Sequence, residues 1–184
     1  MFTVQRQEQT HNFAASEWTL LMQAPMQAVA AVALADKTDP LSLLRTAQAT
    51  IQILSEEQVR QKPWNHLIGC LMDSMNAADE KLGVKGKELL MRKQFIILGQ
   101  LHTLNNTANG HDIAIETCKQ IALILSVKVS PLEMEEFRNW LLMITIRILK
   151  TAKKSSVFEI TNLRINERER LALQRLNALF NTND

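Results

Sequence analysis

The chain has 184 residues, with 21 Lys or Arg against 19 Asp or Glu, a formal charge of +2 that by itself selects no partner. At that length one domain is expected, and a core burying roughly 70% of the unfolded surface needs no disulfide or metal staple. No run reaches 18 apolar residues and MFTVQRQEQTHNF holds no apolar signal core, so neither a membrane span nor an export signal is expected.

Five glycines, four prolines and no tyrosine, with Leu, Ala, Gln and Met abundant, favour helix over strand. Residues 1–12 are polar and aperiodic and predict a flexible N-terminal arm; a single all-helical domain is expected over 13–184. Trp18, Leu21, Met22, Pro25, Met26, Val29 and Val32 keep a helical period, which Pro25 should kink or split. Asp39-Pro40 is a cap followed by a first-position proline, opening a helix from Pro40 to about Leu54, with a further short turn at Ser55-Glu56-Glu57. Lys62-Pro63-Trp64 breaks the pattern, and Asn65 caps a helix over 66–81. Gly83 and Gly86 bracket a short loop before a helix over 87–104, whose face takes Leu90, Phe95 or Ile97, Leu98, Leu101 and Leu104. Asn105 to Gly110 predicts a mobile linker. A helix then runs from about Asp112 to Val127, with Ile113, Thr117, Ile121, Ile124 and Leu125 on its apolar side and Cys118 beside them.

Ser130 to Lys154 is the longest and most apolar helical pattern. Ser130, Pro131 and Glu133 form a capping box with a first-position proline. Met134, Phe137, Leu141, Ile144, Ile148 and Ala152 follow at steps of three or four, and Trp140, Leu142, Met143 and Ile146 widen the stripe. So broad a stripe predicts a core helix ringed by others. Ser155 to Arg164 reads as loop, and Asn166 with Glu169 caps a last helix bearing Leu171, Leu173, Leu176, Leu179 and Phe180. The fold class is therefore all-α: a single-domain bundle of about seven helices around a central apolar helix, 131–152.

Three segments carry a family resemblance: Phe13 to Trp18 leading through Ala24-Pro25 to Asp36, Glu136 to Leu142 leading to Ala152-Lys153, and Ile165 to Glu169 before the Leu-rich end. They resemble a family of uncharacterised all-helical bacterial proteins, which implies a fold and no activity. The last segment, and the Ala-rich helix ending in an acidic corner, are also similar to the tellurite-resistance TerB-type helical fold. That resemblance implies metal binding through Asp36 and Asp39, although Lys37 stands where that fold has a glycine.

The candidate sites are few. Asp36 and Asp39 offer oxygen ligands to a divalent metal, where calcium wants six to eight; read simply, they are a helix end and a cap. His66 and Cys70 share a helix face and could begin a zinc site with Cys118 and His111, but no second close-spaced pair is present. The turn Gly83 to Lys87 is basic but lacks phosphate-loop spacing, and no nucleophile motif occurs, so no catalytic residue is named. Residues 138–184 hold nine Lys or Arg against four Asp or Glu. Arg147, Lys150, Lys153, Lys154, Arg164, Arg168, Arg170 and Arg175 lack interleaved aromatics, so nucleic acid is not the expected partner. Eight methionines and three tryptophans exceed one core's obvious need and fit either ordinary core filling or an exposed apolar surface that meets other helices. Cys70 and Cys118 read as buried thiols of a reducing, cytoplasmic compartment.

The expected function is a non-enzymatic protein–protein interaction or scaffolding module, with self-association or a protein partner and no identifiable small-molecule substrate. The alternatives are a TerB-like metal-binding stress-response domain, a divalent metal being the one cofactor left open, and an enzyme of unknown type. The first predicts a large apolar patch, the second acidic side chains converging on Asp36, and the third a pocket holding His beside a carboxylate or Cys.

Overall fold

A computed structural model describes residues 12–36, 38–61, 64–154 and 165–181. The N-terminal arm before Asn12 and the 155–164 segment, Arg164 included, lie outside them. The described residues form eight helices and no strand. These are α1 (Ala15–Met22), α2 (Ala24–Ala33), α3 (Pro40–Gln58), α4 (His66–Lys81), α5 (Gly86–Asn106), α6 (Gly110–Lys128), α7 (Pro131–Lys154) and α8 (Glu167–Leu179).

Local chemistry sets most of these boundaries. Pro25 cannot donate to the preceding turn, and the predicted first helix divides at Gln23 into α1 and α2. Ala14 has no side-chain acceptor for the start of α1, but Glu17 reaches back to its N–H at 2.7 Å. Asn65 caps α4 by accepting from Ile68 N. Ser130 and Glu133 close the predicted box on α7, and Asn166 and Glu169 close that on α8, with both reciprocal bonds made in each.

Burial is most continuous in α2. Every residue of α2 from Ala24 to Val32 is buried, Gln27 included. Its alanines let α6, α7 and α8 approach on different sides, and α3 and α5 also touch it. Helix α7 is buried along a broad stripe: Met134, Phe137, Trp140, Leu141, Ile144, Thr145, Ile148, Leu149 and Ala152 are buried, while Leu142, Met143 and Ile146 are half-buried. A broad apolar stripe signals burial, but small residues decide which helix can be surrounded. Val29 and Val32 join α7, α4 and the C-terminal Phe180 in one cluster, and Met26, Ala30 and Ala31 join Leu43, Leu101 and Ile115 in another.

Three further expectations are corrected. The Ser55-Glu56-Glu57 turn is the last turn of α3, continuous because Leu54 and Glu57 are both buried against neighbours. The Asn105–Gly110 linker is a three-residue corner. Asn105 and Asn106 belong to α5, the Asn105 amide donates to Thr38 O at 3.2 Å, and Gly110 packs on the Leu104 carbonyl. Finally, Ile113 and Leu171 face outward rather than into the core.

Candidate functional site

Helix α5 is long, apolar and poorly covered. Gly83 and Gly86 adopt φ of +69° and +58°, a conformation glycine reaches without strain, and so turn the chain from α4 into α5. Of its 21 residues only Leu101 is fully buried. Ile97, Leu98 and Leu104 lean on the cluster around Met26 and Leu43. Away from that contact Met91, Phe95 and Ile96 meet solvent, Phe95 at 69% exposure, and Leu90, on the face of Ile97 but two turns nearer the start of the helix, is exposed as well. Met91, Phe95, Gly99 and His102 follow one another at steps of three or four, so they lie along one line of the helix.

Two hollows lie beside that line, with Ile96 in the wall of both. One, of about 270 Å³, lies between α5 and the α1, α3 and α4 side chains Met22, Leu54 and Met75. The Lys93 ammonium closes its rim, donating to Asp79 Oδ2 at 2.7 Å and Gln58 Oε1 at 3.0 Å, while Gln58 donates to the same Asp79 oxygen. This triad fastens the exposed half of α5 to α3 and α4. The other hollow, of about 440 Å³, opens between α5 and α2, walled by Met26, Phe95, Ile96 and Leu104. Gln27 lies in its wall, 8% exposed, with Oε1 making no hydrogen bond. Unpaired buried acceptors are uncommon because each forfeits its hydration without replacement.

The acidic alternatives are internally satisfied, whereas His111 Nδ1 is buried without a hydrogen-bond partner. Asp39 is a working cap: Oδ1 accepts from Leu41 N and Ser42 N, and Oδ2 takes the Ser42 hydroxyl at 2.6 Å. The Ser42 hydroxyl and N–H hold its carboxyl below the usual carboxylate range. Asp36 is paired with Arg168 of α8. No group of three or more His, Cys, Asp or Glu arranged to hold a metal occurs among the described residues. His66 and Cys70 do meet, Sγ to Nδ1 at 3.6 Å, on the first two turns of α4. Burial and, second, the nearby Asp73 charge push the Cys70 thiol up. Burial pushes Cys118 up to about 12. Both therefore remain thiols at neutral pH, the opposite of an activated nucleophile.

A third hollow, of about 210 Å³, is polar and borders Glu57, Arg60, Trp64 and Asp73. The buried Glu57 carboxylate accepts from Trp140 Nε1 at 3.2 Å, Arg60 at 2.9 Å and Arg147 at 3.1 Å. It is a structural node joining α3 to α7, and Arg60 also lies over the Trp64 ring. None of the three hollows is lined by a histidine. The basic C-terminal residues are largely answered from within: Arg147 by Glu56 and Glu57, Lys153 by Glu169, Arg170 by Glu167 and Arg175 by Asp112.

Sequence reasoning faced Leu90 inward, left Phe95 and Ile97 as alternatives, and passed over Gln27. The structure turns Ile97 in and Phe95 out. One signal for this was present: from Gln94 to Asn106 no Lys, Arg, Asp or Glu occurs, although half that stretch faces solvent. No helix among the described residues is long and apolar enough to cross a membrane. Comparisons with family models, curated proteins and solved structures find no match to this chain.

Proposed function

We propose that this chain is a non-enzymatic protein–protein interaction module, one helical unit of a reducing, cytoplasmic compartment, that docks its partner on the exposed face of α5. The observation that carries this reading is the line Met91, Phe95, Gly99 with Ile96 beside it, left uncovered next to two hollows. Isolated exposed apolar side chains are ordinary; a contiguous set on one helix marks a contact surface. Methionines at 22, 26, 75 and 91 line or border that face and adapt readily to another helix. The polar groups elsewhere, from Glu57 to Asp39, spend their bonding capacity on holding the bundle together.

A photo-crosslinking phenylalanine analogue tests the reading. Placed at position 95 in living cells it should give protein adducts; placed at the exposed Glu116 position of α6 it should not. No adduct from position 95, with the protein folded and abundant, would remove the interaction face.

A further inference from the structure

The hollow of about 270 Å³ has walls of one chemistry and a rim of another. Four helices supply the apolar walls: Met22 from α1, Leu54 from α3, Met75 from α4, and Ile96 with Ile97 from α5. Those helices are pinned where they meet. Trp18 Nε1 donates to Ser74 Oγ at 3.0 Å, tying α1 to α4, and Lys93 ties α5 to α3 and α4. Asn76 of α4 also donates to the Gln58 carbonyl at 3.3 Å, which steadies the rim. A concave, apolar space with a few polar groups gathered at one edge is the usual build of a small-molecule site.

The rim selects the polar end of the ligand. Lys93 and Asp79 pair with side chains only 15% and 19% exposed, and together they carry no net charge. A charged head group would lose hydration there against a pair that is already neutral. Hydrogen bonding at the rim is only partly used. Among the described residues, Lys93 Nζ donates to Asp79 and Gln58, which leaves one of its three N–H groups over. Asp79 Oδ2 accepts from both Lys93 and Gln58, while Oδ1 accepts from no protein donor. One spare donor beside one spare acceptor suits a group that accepts and donates through a single atom, a hydroxyl. Size follows from the volume. At the packing density of protein interiors this hollow takes roughly 200 Å³ of van der Waals volume, a saturated alcohol of about eight to ten carbons.

We infer that this hollow binds a small neutral alcohol, its apolar part between the methionines and isoleucines and its hydroxyl between Lys93 Nζ and Asp79 Oδ1. The site stands apart from the docking reading, since Phe95 lines the other hollow and not this one.

Methionine-methyl NMR with n-octanol as the probe tests the site. The Met22 and Met75 signals should shift saturably, while exposed Met91, which lines neither hollow beside α5, should not. Octanoate and octylammonium should bind roughly tenfold more weakly, because each adds a charge that the neutral rim does not answer. Ala78→Phe carries a ring into the hollow from an exposed position on α4 and should abolish the shifts with the helical circular dichroism unchanged. Lys93→Met leaves Asp79 alone at the rim and should turn the preference toward octylammonium. No shift with n-octanol, a Met91 shift as large as those of Met22 and Met75, octanoate binding as tightly as n-octanol, or binding that survives Ala78→Phe overturns the inference.

Discussion

Asp39 and Glu57 show how single carboxylates are committed in this molecule. Asp39 caps α3 with both oxygens, and its pKa is lowered chiefly by the Ser42 hydroxyl, then by the Ser42 N–H. A carboxyl lowered in the folded state stabilises that state at any pH above its unfolded value, and the contribution disappears as pH falls through the lowered one. Asp39→Ala should therefore cost about 1 kcal/mol at neutral pH, the usual worth of such a cap, and less in acid strong enough to protonate the carboxyl. Urea unfolding at the two pH values measures the difference. Glu57 answers a fully buried indole N–H and two guanidinium groups. Glu57→Leu should cost about 2 kcal/mol by stranding Trp140 Nε1, while Glu57→Gln, which keeps an acceptor, should recover most of that. Thermal melts with calcium, magnesium and zinc test Asp36 for metal: a metal-dependent rise lost in Asp36→Ala would establish the site. Its pairing with Arg168 predicts no rise.

At the scale of elements, two glycines behave oppositely. A Cβ on Gly110 would lie 1.8 Å from the Leu104 carbonyl oxygen, so the corner between α5 and α6 closes only around a bare Cα. Gly110→Ala should destabilise by about 2 kcal/mol, because backbone rather than a side chain must move. Gly99 sits mid-helix with open space, so Gly99→Ala should stabilise by up to about 1 kcal/mol. Chemical denaturation of the pair checks both signs. The same contrast explains what the sequence made legible. The starts of α3, α4, α7 and α8 are written in capping residues that act within one turn, and those helices begin where Asp39, Asn65, Ser130 and Asn166 place them. The tight corner before Gly110 was read as a linker because its closure depends on Leu104 approaching in three dimensions, which no local signal records. The α5 face was obscured similarly: Leu90, Phe95 and Leu98 follow the same periodicity whether a neighbour covers them or not.

Across the whole molecule, burial grades from α2 to α5, and stability should follow it. From Ala24 to Val32 no residue of α2 reaches solvent appreciably, whereas from Gly86 to Gln100 no residue of α5 is fully buried. Local opening requires least free energy where few apolar contacts are lost, so amide hydrogens of α2 should exchange slowest and those of residues 86–100 fastest among the helix interiors. The exposed half of α5 nevertheless remains attached, because Lys93 bridges it to Asp79 and Gln58 in a partly shielded position. Lys93→Met keeps the length of the stem and removes the bridge. It should speed exchange across 86–100 and leave α2 unchanged; equal acceleration in both would mean that α5 opens only with the whole bundle. The core thus anchors α5 through Leu101 and its neighbours in the second half, while the first half depends on the Lys93 bridge, so loss of that bridge should be felt there first.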